Sequence, residues 1–282
     1  MKRIAVIGGG ITGLTAAYRL RKLGHEVVLL EASDRTGGVI QSVPKDGYLA
    51  ECGPNTIMET SPVIGELISD LGLEKRKLIS NPEADKKFII KGGKPVEVPG
   101  SPPAFFASPF FSWKAKLRLM REPFVGRGSA EDESLADFVR RRLGQEFLDY
   151  AINPMVGGIY AGNPEKLSVR EAFPKVYALE EKYGSLIKGQ IQGAKERKKT
   201  GAVSRQNAPK LSFDQGVQVL PDALSRHLGH IVKTRTKVER IRLSEGKWYV
   251  SSEVKSFDGV ILALPAFRLA GLEFEGADQI NL

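Results

Sequence analysis

The run Ile7-Gly8-Gly9-Gly10-Ile11-Thr12-Gly13 puts four glycines into seven residues, and its flanks decide what it can be. Upstream, Lys2-Arg3-Ile4-Ala5-Val6-Ile7 ends in a short apolar run that suits a buried parallel strand. Downstream, Leu14 to Leu23 carries apolar residues at helical spacing, and Gly24 follows as a stop. Glu26-Val27-Val28-Leu29-Leu30-Glu31 then reads as a second strand that ends in an acid. Strand, glycine turn, helix and acid-tipped strand are the parts of a dinucleotide-binding βαβ unit. Gly8 permits the sharp turn out of the strand, Gly10 lets backbone approach a pyrophosphate, and Gly13 lets the helix pack on the sheet. With Gly9, Ile11 and Thr12 they form one cradle at a helix N-terminus, where free N–H groups favour phosphate. Glu31, followed by Ala32, stands where a carboxylate accepts both ribose hydroxyls, which disfavours a 2′-phosphate.

The residues after Glu31 bear on which dinucleotide is bound. Arg35-Thr36-Gly37-Gly38 follows the acidic strand end directly, where a nicotinamide enzyme would run into another crossover helix. Gly37 and Gly38 suit a loop folded back over an extended cofactor, with Arg35 near its phosphates. An ordinary turn with a solvated arginine is the competing reading. This Arg-x-Gly-Gly stretch resembles that of the FAD-dependent amine oxidase-like flavoproteins. Gly53-Pro54-Asn55-Thr56, after the short strand Gly47 to Glu51, resembles the next flavin-contacting turn of the same superfamily. The resemblance therefore implies FAD.

A chain of 282 residues holds one large or two modest domains, and 41% hydrophobic with 27% charged residues is ordinary for a soluble protein. The single Cys52 excludes an internal disulfide framework, fits a reducing cytosol and reads as a small packing residue. No stretch has the length of a membrane-spanning helix, and the basic-apolar N-terminus breaks into glycines too early for a targeting segment. The net charge of +9 admits nucleic acid, anionic lipid or an acidic small substrate. No nucleic-acid motif accompanies it, and Lys195, Arg197, Lys198 and Lys199 read as a solvated helix end.

Along the chain, Ser61 caps a short helix that Gly72 stops, and Lys86 to Val98 reads as a hairpin around Gly92-Gly93. From about Ser112 to Thr200 the pattern is helical, with starts at Ser134, Gln145, Ser168 and Tyr183. Strands return after Pro209, with a helix from Pro221 to Leu228. The apolar run Phe257 to Pro265 reads as a central parallel strand that rejoins the nucleotide sheet. The expected fold is α/β: a Rossmann-like FAD-binding domain (1–98 and 206–282) interrupted by a mainly helical, substrate- and membrane-facing insertion (99–205).

The run Asn153 to Ser168, with Phe173-Pro174 after it, closely resembles the oxygen-dependent porphyrinogen oxidases of haem biosynthesis. These are the protoporphyrinogen and coproporphyrinogen oxidases. Gly53-Pro54-Asn55, Phe213 to Leu220 and Thr236-Lys237-Val238 agree with the same family. Read from the residues alone, Gly157, Gly158 and Gly162 make a tight small-residue turn that lets backbone approach a large flat ligand, or else serve close helix packing. The resemblance implies that Gly158 faces the porphyrinogen, that Lys87 meets a propionate, and that the Val238 backbone meets adenine. A solvated strand-end lysine is the other reading of Lys87.

The resemblance further implies oxidation of a porphyrinogen to the porphyrin in three flavin turnovers, with O2 as acceptor. The flavin carries the chemistry, so no catalytic side chain and no metal site are expected. The positive charge leans towards coproporphyrinogen, with four propionates, over protoporphyrinogen. A bacterial cytoplasmic enzyme is expected, with at most peripheral membrane contact and with a homodimer or another partner covering an open face. Family members are considerably longer, so the chain is read as the N-terminal portion of one, missing the last strand-glycine-helix element. The alternatives are another amine oxidase-like flavoenzyme, or an FAD-binding fragment without activity.

Overall fold

The computed structural model describes residues 1–81, 86–128, 132–200 and 208–276, excepting the side chains of 102, 159 and 195–200. The basic cluster from Lys195 to Lys199 and the end of the chain at Asn281-Leu282 therefore lie outside the described side chains and residues. The chain divides into two compact units, Met1–Ser80 with Arg205–Leu282, and Asn81–Ser204.

In the first unit, β1 (Arg3–Ile7), α1 (Ile11–Lys22) and β2 (Glu26–Leu30) follow one another as their apolar spacing requires. Next come the hairpin β3 (Ser42–Lys45) and β4 (Tyr48–Glu51), then β5 (Ile57–Met58), α2 (Pro62–Asp70) and β6 (Lys77–Ile79). The Ser61 hydroxyl caps α2 by accepting from Val63 N, and Gly72 at φ +66° ends that turn of chain.

The second unit opens with β7 (Phe88–Lys91) and β8 (Lys94–Glu97), joined through Gly92 and Gly93 at φ +59° and +76°. Two positive φ values in a row give the hairpin turn whose twist matches its strands. From the sequence this hairpin is expected in the nucleotide domain, with the boundary after residue 98. The structure puts it in the second unit, because Ile89, Val96 and Val98 pack against Phe110 and Phe111.

Helices α3 (Pro102–Ala107), α4 (Trp113–Met120), α5 (Leu135–Arg142) and α6 (Gln145–Phe147) follow, and a π turn at Leu148–Ile152 leads into α7 (Asn153–Tyr160). Then come α8 (Val169–Ala172), α9 (Pro174–Tyr183) and α10 (Leu186–Thr200). The expected small-residue turn at 153–162 is thus a helix. Pro154 suits its first turn, Val156 is fully buried, and the left-handed break comes only at Ala161, φ +46°.

Burial of charge fixes these helices to one another. Arg142 is fully buried and donates to Glu122 (2.8 Å), to Glu180 (2.9 Å) and to the Gly184 carbonyl (3.0 Å). Glu122, also fully buried, accepts from the Ser185 hydroxyl (2.6 Å) and from the N–H groups of Leu186 (2.8 Å) and Ile187 (3.2 Å) at the start of α10. Burial alone would raise the pKa of Glu122 and of Glu180. Hydrogen bonds from Ser185 and the helix start at Glu122, and from Arg141 and Arg142 at Glu180, outweigh it and hold both below the usual glutamate range.

The chain returns to the first unit with β9 (Lys210–Phe213), α11 (Val219–Leu228), β10 (Val232–Lys233), β11 (Arg240–Ser244), β12 (Lys247–Val250), β13 (Gly259–Leu262), α12 (Ala266–Leu269) and β14 (Glu273–Glu275). The nucleotide sheet is parallel with order β10-β2-β1-β13, Ile4 to Ile7 pairing with Gly259 to Leu262. Among the described residues β13 ends this sheet, beside β1, where a central position was expected.

Alternation along β1 sends Val6 to one face and Ala5 and Ile7 to the other. The first face packs on Leu14 and Ala17 of α1 and Leu224 of α11, and the second on Ile241, Val250 and Phe257. Burial of Leu14, Leu29 and Leu224 is worth roughly 1.5–3 kcal/mol each and locks helix to sheet. A further sheet, β12-β11-β14, covers the second face, and β9 pairs antiparallel with β5 and β6.

Candidate dinucleotide site

The C-terminal ends of β1, β2 and β13 open on a cleft of about 940 Å³, wholly within the first unit. Ligands of open parallel sheets bind at such strand ends. Its floor is the glycine turn. Gly8 has φ +108°, and a side chain there would meet the Ala263 carbonyl at 2.5 Å, so only glycine can make this exit from β1. A Cβ on Gly13 would lie 1.9 Å from the Gly8 carbonyl, which fixes how closely α1 approaches the turn.

Gly10 differs from both. It is the N-cap of α1 at φ −68° and ψ 174°, a conformation open to any residue, and a Cβ there would meet no protein atom within 4 Å. The space it leaves is cleft, and no side chain caps the N–H groups of the first turn. Those two observations suit a phosphate lying against backbone.

Glu31 stands at the tip of β2 and lines the cleft with Ala32 and Ser33. Its carboxylate accepts from Gly9 N at 2.6 Å, and from Ser33 N at 2.8 Å and Ser33 Oγ at 2.7 Å. Burial opposes the charge, but the donors from Ser33 and Gly9 outweigh it and hold the acid below the usual range. Glu31 is therefore ionised at neutral pH and fixed as an acceptor at the cleft edge. Opposite it, Arg235 N and Thr236 N donate to the carbonyls of Ser33 and Glu31 (both 2.8 Å), which brings Val238 to the cleft wall.

The loop after β2 folds back on the turn. Gly37 N donates to the Gly9 carbonyl at 2.8 Å, and a Cβ on Gly38 would touch Gly10 Cα at 3.2 Å. Gly37, Gly38 and Val39 line the cleft. Arg35 takes a different place from the one expected. Its guanidinium donates to the carbonyls of Gly38 (2.7 Å), Ile40 (3.1 Å) and Thr36 (3.2 Å), so it clasps its own loop and is not among the cleft-lining residues.

Gly53-Pro54-Asn55-Thr56 also lies off this cleft. Pro54 and Thr56 line a second, apolar cavity of about 370 Å³ with Ile40, Leu67 and Leu220, and Ile11 borders both cavities. Gly53 is required by packing, since its Cβ would fall 2.0 Å from the Val39 carbonyl, and Asn55 is exposed. Cys52, expected to be packed, is exposed at the start of this turn, with its N–H bonded to the Gln41 carbonyl at 2.8 Å.

Gly158 and Lys87 belong to the second unit. Gly158 is exposed on α7, and neither it nor Gly157 has any atom within 4 Å of its missing side chain. Close helix packing is therefore not what keeps these glycines small. Lys87 is exposed just before β7, and its carbonyl accepts from Val98 N at 2.8 Å.

Lys237, Phe267 and Arg268 also line the cleft, although none is among the site residues expected from the sequence. The usable signal was the apolar run closed by Pro265. Whatever follows the C-terminal end of a parallel strand faces the ligand.

Residues 11–278 match the family of flavin-containing amine oxidoreductases. The chain is 33% identical to the mitochondrial protoporphyrinogen oxidase of Nicotiana tabacum over 94% of its own length and 58% of that protein's. It is 31% identical to the coproporphyrinogen III oxidase of Bacillus subtilis, over 96% of this chain and 61% of that protein. A solved structure of a proposed protoporphyrinogen oxidase from Exiguobacterium is similar with a TM-score of 0.72 at 25% identity, over 96% of this chain and 61% of the other. The chain thus spans about three fifths of these relatives. The open cradle at Gly10, the uncapped start of α1 and the fixed Glu31 carboxylate fit the adenosine diphosphate half of FAD. With the glycine turn, the strand order and the match over almost its whole length in agreement, the chain belongs to the flavin-containing amine oxidoreductase family.

Proposed function

We propose that this chain is the FAD-holding part of a porphyrinogen oxidase of haem biosynthesis, acting on coproporphyrinogen III or protoporphyrinogen IX with O2 as final acceptor. The observation that carries this reading is the agreement of relatives from plant and bacterium. Both are named as porphyrinogen oxidases, and both align with more than nine tenths of this chain.

In this reading the residues divide the work as follows. The turn from Gly8 to Gly13 offers backbone N–H groups to the pyrophosphate, and Glu31 with Ala32 receives the ribose. The backbone of Val238 meets the adenine, while Gly37 and Gly38 let the returning loop lie close to the cofactor. Arg35 keeps that loop in shape. Pro54 and Thr56, with Gly53 and Asn55, serve the flavin end of the cofactor. When bound, FAD supplies the acceptor for a hydride from the saturated carbon of the porphyrinogen. Lys87 offers charge to a propionate, and the bare backbone at Gly158 gives a flat ring room to approach.

Peripheral membrane contact, also part of this reading, is supported by the exposed side chains of Trp113, Leu117 and Met120 on α4 and of Phe124 just beyond it, with Lys114 and Arg121 among them. No helix among the described residues is long and apolar enough to cross a membrane.

The test is to incubate the purified chain with FAD, desalt it, and record the visible flavin absorption. Porphyrin fluorescence after addition of each porphyrinogen then follows in the same sample. Retained flavin and growing fluorescence support the proposal. A chain that stays colourless rejects FAD binding by this chain, and retained flavin with amine turnover alone redirects it to another member of the family.

A further inference from the structure

We infer that Arg268 is the side chain that meets the phosphates of the bound dinucleotide, an inference that rests on the dinucleotide reading above and adds to it a specific residue. The formally charged residues lining the cleft are Glu31, Lys237 and Arg268. Glu31 is an anion with three donors already on it. Lys237 is paired with Glu239 at 3.0 Å, so the two together add no net charge. Arg35, the cation expected to serve the phosphates, has turned its guanidinium onto loop carbonyls.

Arg268 is left. Its guanidinium lies 5.6 Å from the centroid of the Phe267 ring, and among the described residues no acid pairs with it. A ring face holds a guanidinium in place without neutralising it or using its N–H donors, so the fork stays available to an oxyanion.

The position agrees with this role. Ala263, at the end of β13, abuts the glycine turn. Its carbonyl oxygen is 2.5 Å from where a Gly8 Cβ would stand, and its Cβ is 3.2 Å from where a Gly13 Cβ would stand. Pro265 is the N-cap of α12, so Phe267 and Arg268 are carried on the next turn of chain and line the same cleft as Gly10 and Thr12. The uncapped start of α1 and Arg268 would then share the two phosphates, one giving backbone N–H groups and the other a bidentate cation.

The test compares calorimetric binding of ADP and of adenosine to the whole chain and to Arg268→Gln and Arg268→Lys. Arg268 is exposed, and its ring contact is with Phe267, itself exposed, so the variants should melt with the parent. Arg268→Gln should weaken ADP roughly three- to tenfold, leave adenosine unchanged and flatten the salt dependence of ADP binding. Arg268→Lys should recover part of the loss. Equal ADP affinity in the parent and in Arg268→Gln would overturn the assignment. So would an equal loss for ADP and adenosine, which places Arg268 at the base and not at the phosphates. A parent chain that binds neither ligand would sink the dinucleotide reading itself, and this inference with it.

Discussion

Three glycines of one turn do different work, and a pair of alanine substitutions separates support of the fold from approach of a ligand. In Gly13→Ala the new methyl would stand 1.9 Å from the Gly8 carbonyl oxygen, more than 1 Å inside any tolerated contact, so α1 must withdraw from β1. Overpacking of this kind costs about 1–3 kcal/mol. A loss of about 2 kcal/mol lowers the melting temperature by roughly 4–8 °C in a unit of this size. In Gly10→Ala the methyl meets nothing, and φ −68° with ψ 174° suits alanine. Reduced freedom of the unfolded chain should leave that variant unchanged or about 0.4–1 kcal/mol more stable. Its methyl projects into the space where a phosphate would contact backbone, and affinity for ADP should fall at least about tenfold, or about 1.4 kcal/mol. Thermal melts followed by circular dichroism and titrations with ADP read the two effects separately. Full-strength ADP binding by Gly10→Ala would refute the idea that the ligand approaches there. A collapse of its melting temperature would refute the claim that Gly10 is spared by the fold.

Glu31→Gln replaces one acceptor oxygen by an N–H₂ facing existing donors, so adenosine and ADP should both weaken about tenfold; unchanged affinity by titration would remove Glu31 from the ribose site. Glu122 and Glu180 have folded pKa values below their unfolded ones, so their contribution is present above about pH 4.3 and is lost as pH falls through the lower, folded values. Urea melts between pH 5 and pH 3 should show that acid loss diminished in Glu122→Gln, which is itself several kcal/mol less stable at neutral pH, about 3–5 by the usual cost of breaking a buried pair. Gly216→Ala should destabilise the first unit by about 1–3 kcal/mol, since φ is +85° and its Cβ would lie 2.3 Å from Ser42 Oγ and 2.5 Å from Glu51 Oε1. A variant melting with the parent would show that these side chains move aside freely.

What was legible in the chain was local. The βαβ unit from Arg3 to Glu31 is complete within about thirty residues, and each of its signals agrees with the others. The hydroxyl caps at Ser61, Ser134 and Ser168 and the turn at Gly92-Gly93 also act within a few residues of themselves. Errors arose where distant partners decide. Glycines at 157, 158 and 162 read as a turn, yet Pro154 and the burial of Val156 among the helices of the second unit make most of that run helical. For Arg35, read as a ligand for phosphate, the sequence does not disclose that its guanidinium also clasps the Gly38 and Ile40 carbonyls, which come within reach only once the loop has closed on itself. The hairpin at 88–97 went to the wrong unit because Phe110 and Phe111 claim it. Phe267 and Arg268 were invisible for a related reason: more than two hundred residues separate them from the glycine turn whose cleft they share.

Among the described residues, the outer edge of β2 is covered by β10 and that of β1 by β13, and Asp258 accepts from Arg3 N across 255 residues of sequence. At about 5–20 residues per second, synthesis leaves roughly 13–50 s between the emergence of the first strand and of the residues that close it. Until β10 emerges the nascent nucleotide unit carries two bare strand edges, and until β13 emerges it carries one, while Asn81–Ser204 emerges and can condense on its own core. Chaperone dependence and losses to aggregation should therefore respond to slowed translation between about residues 81 and 260, even though no contact in the finished molecule is altered.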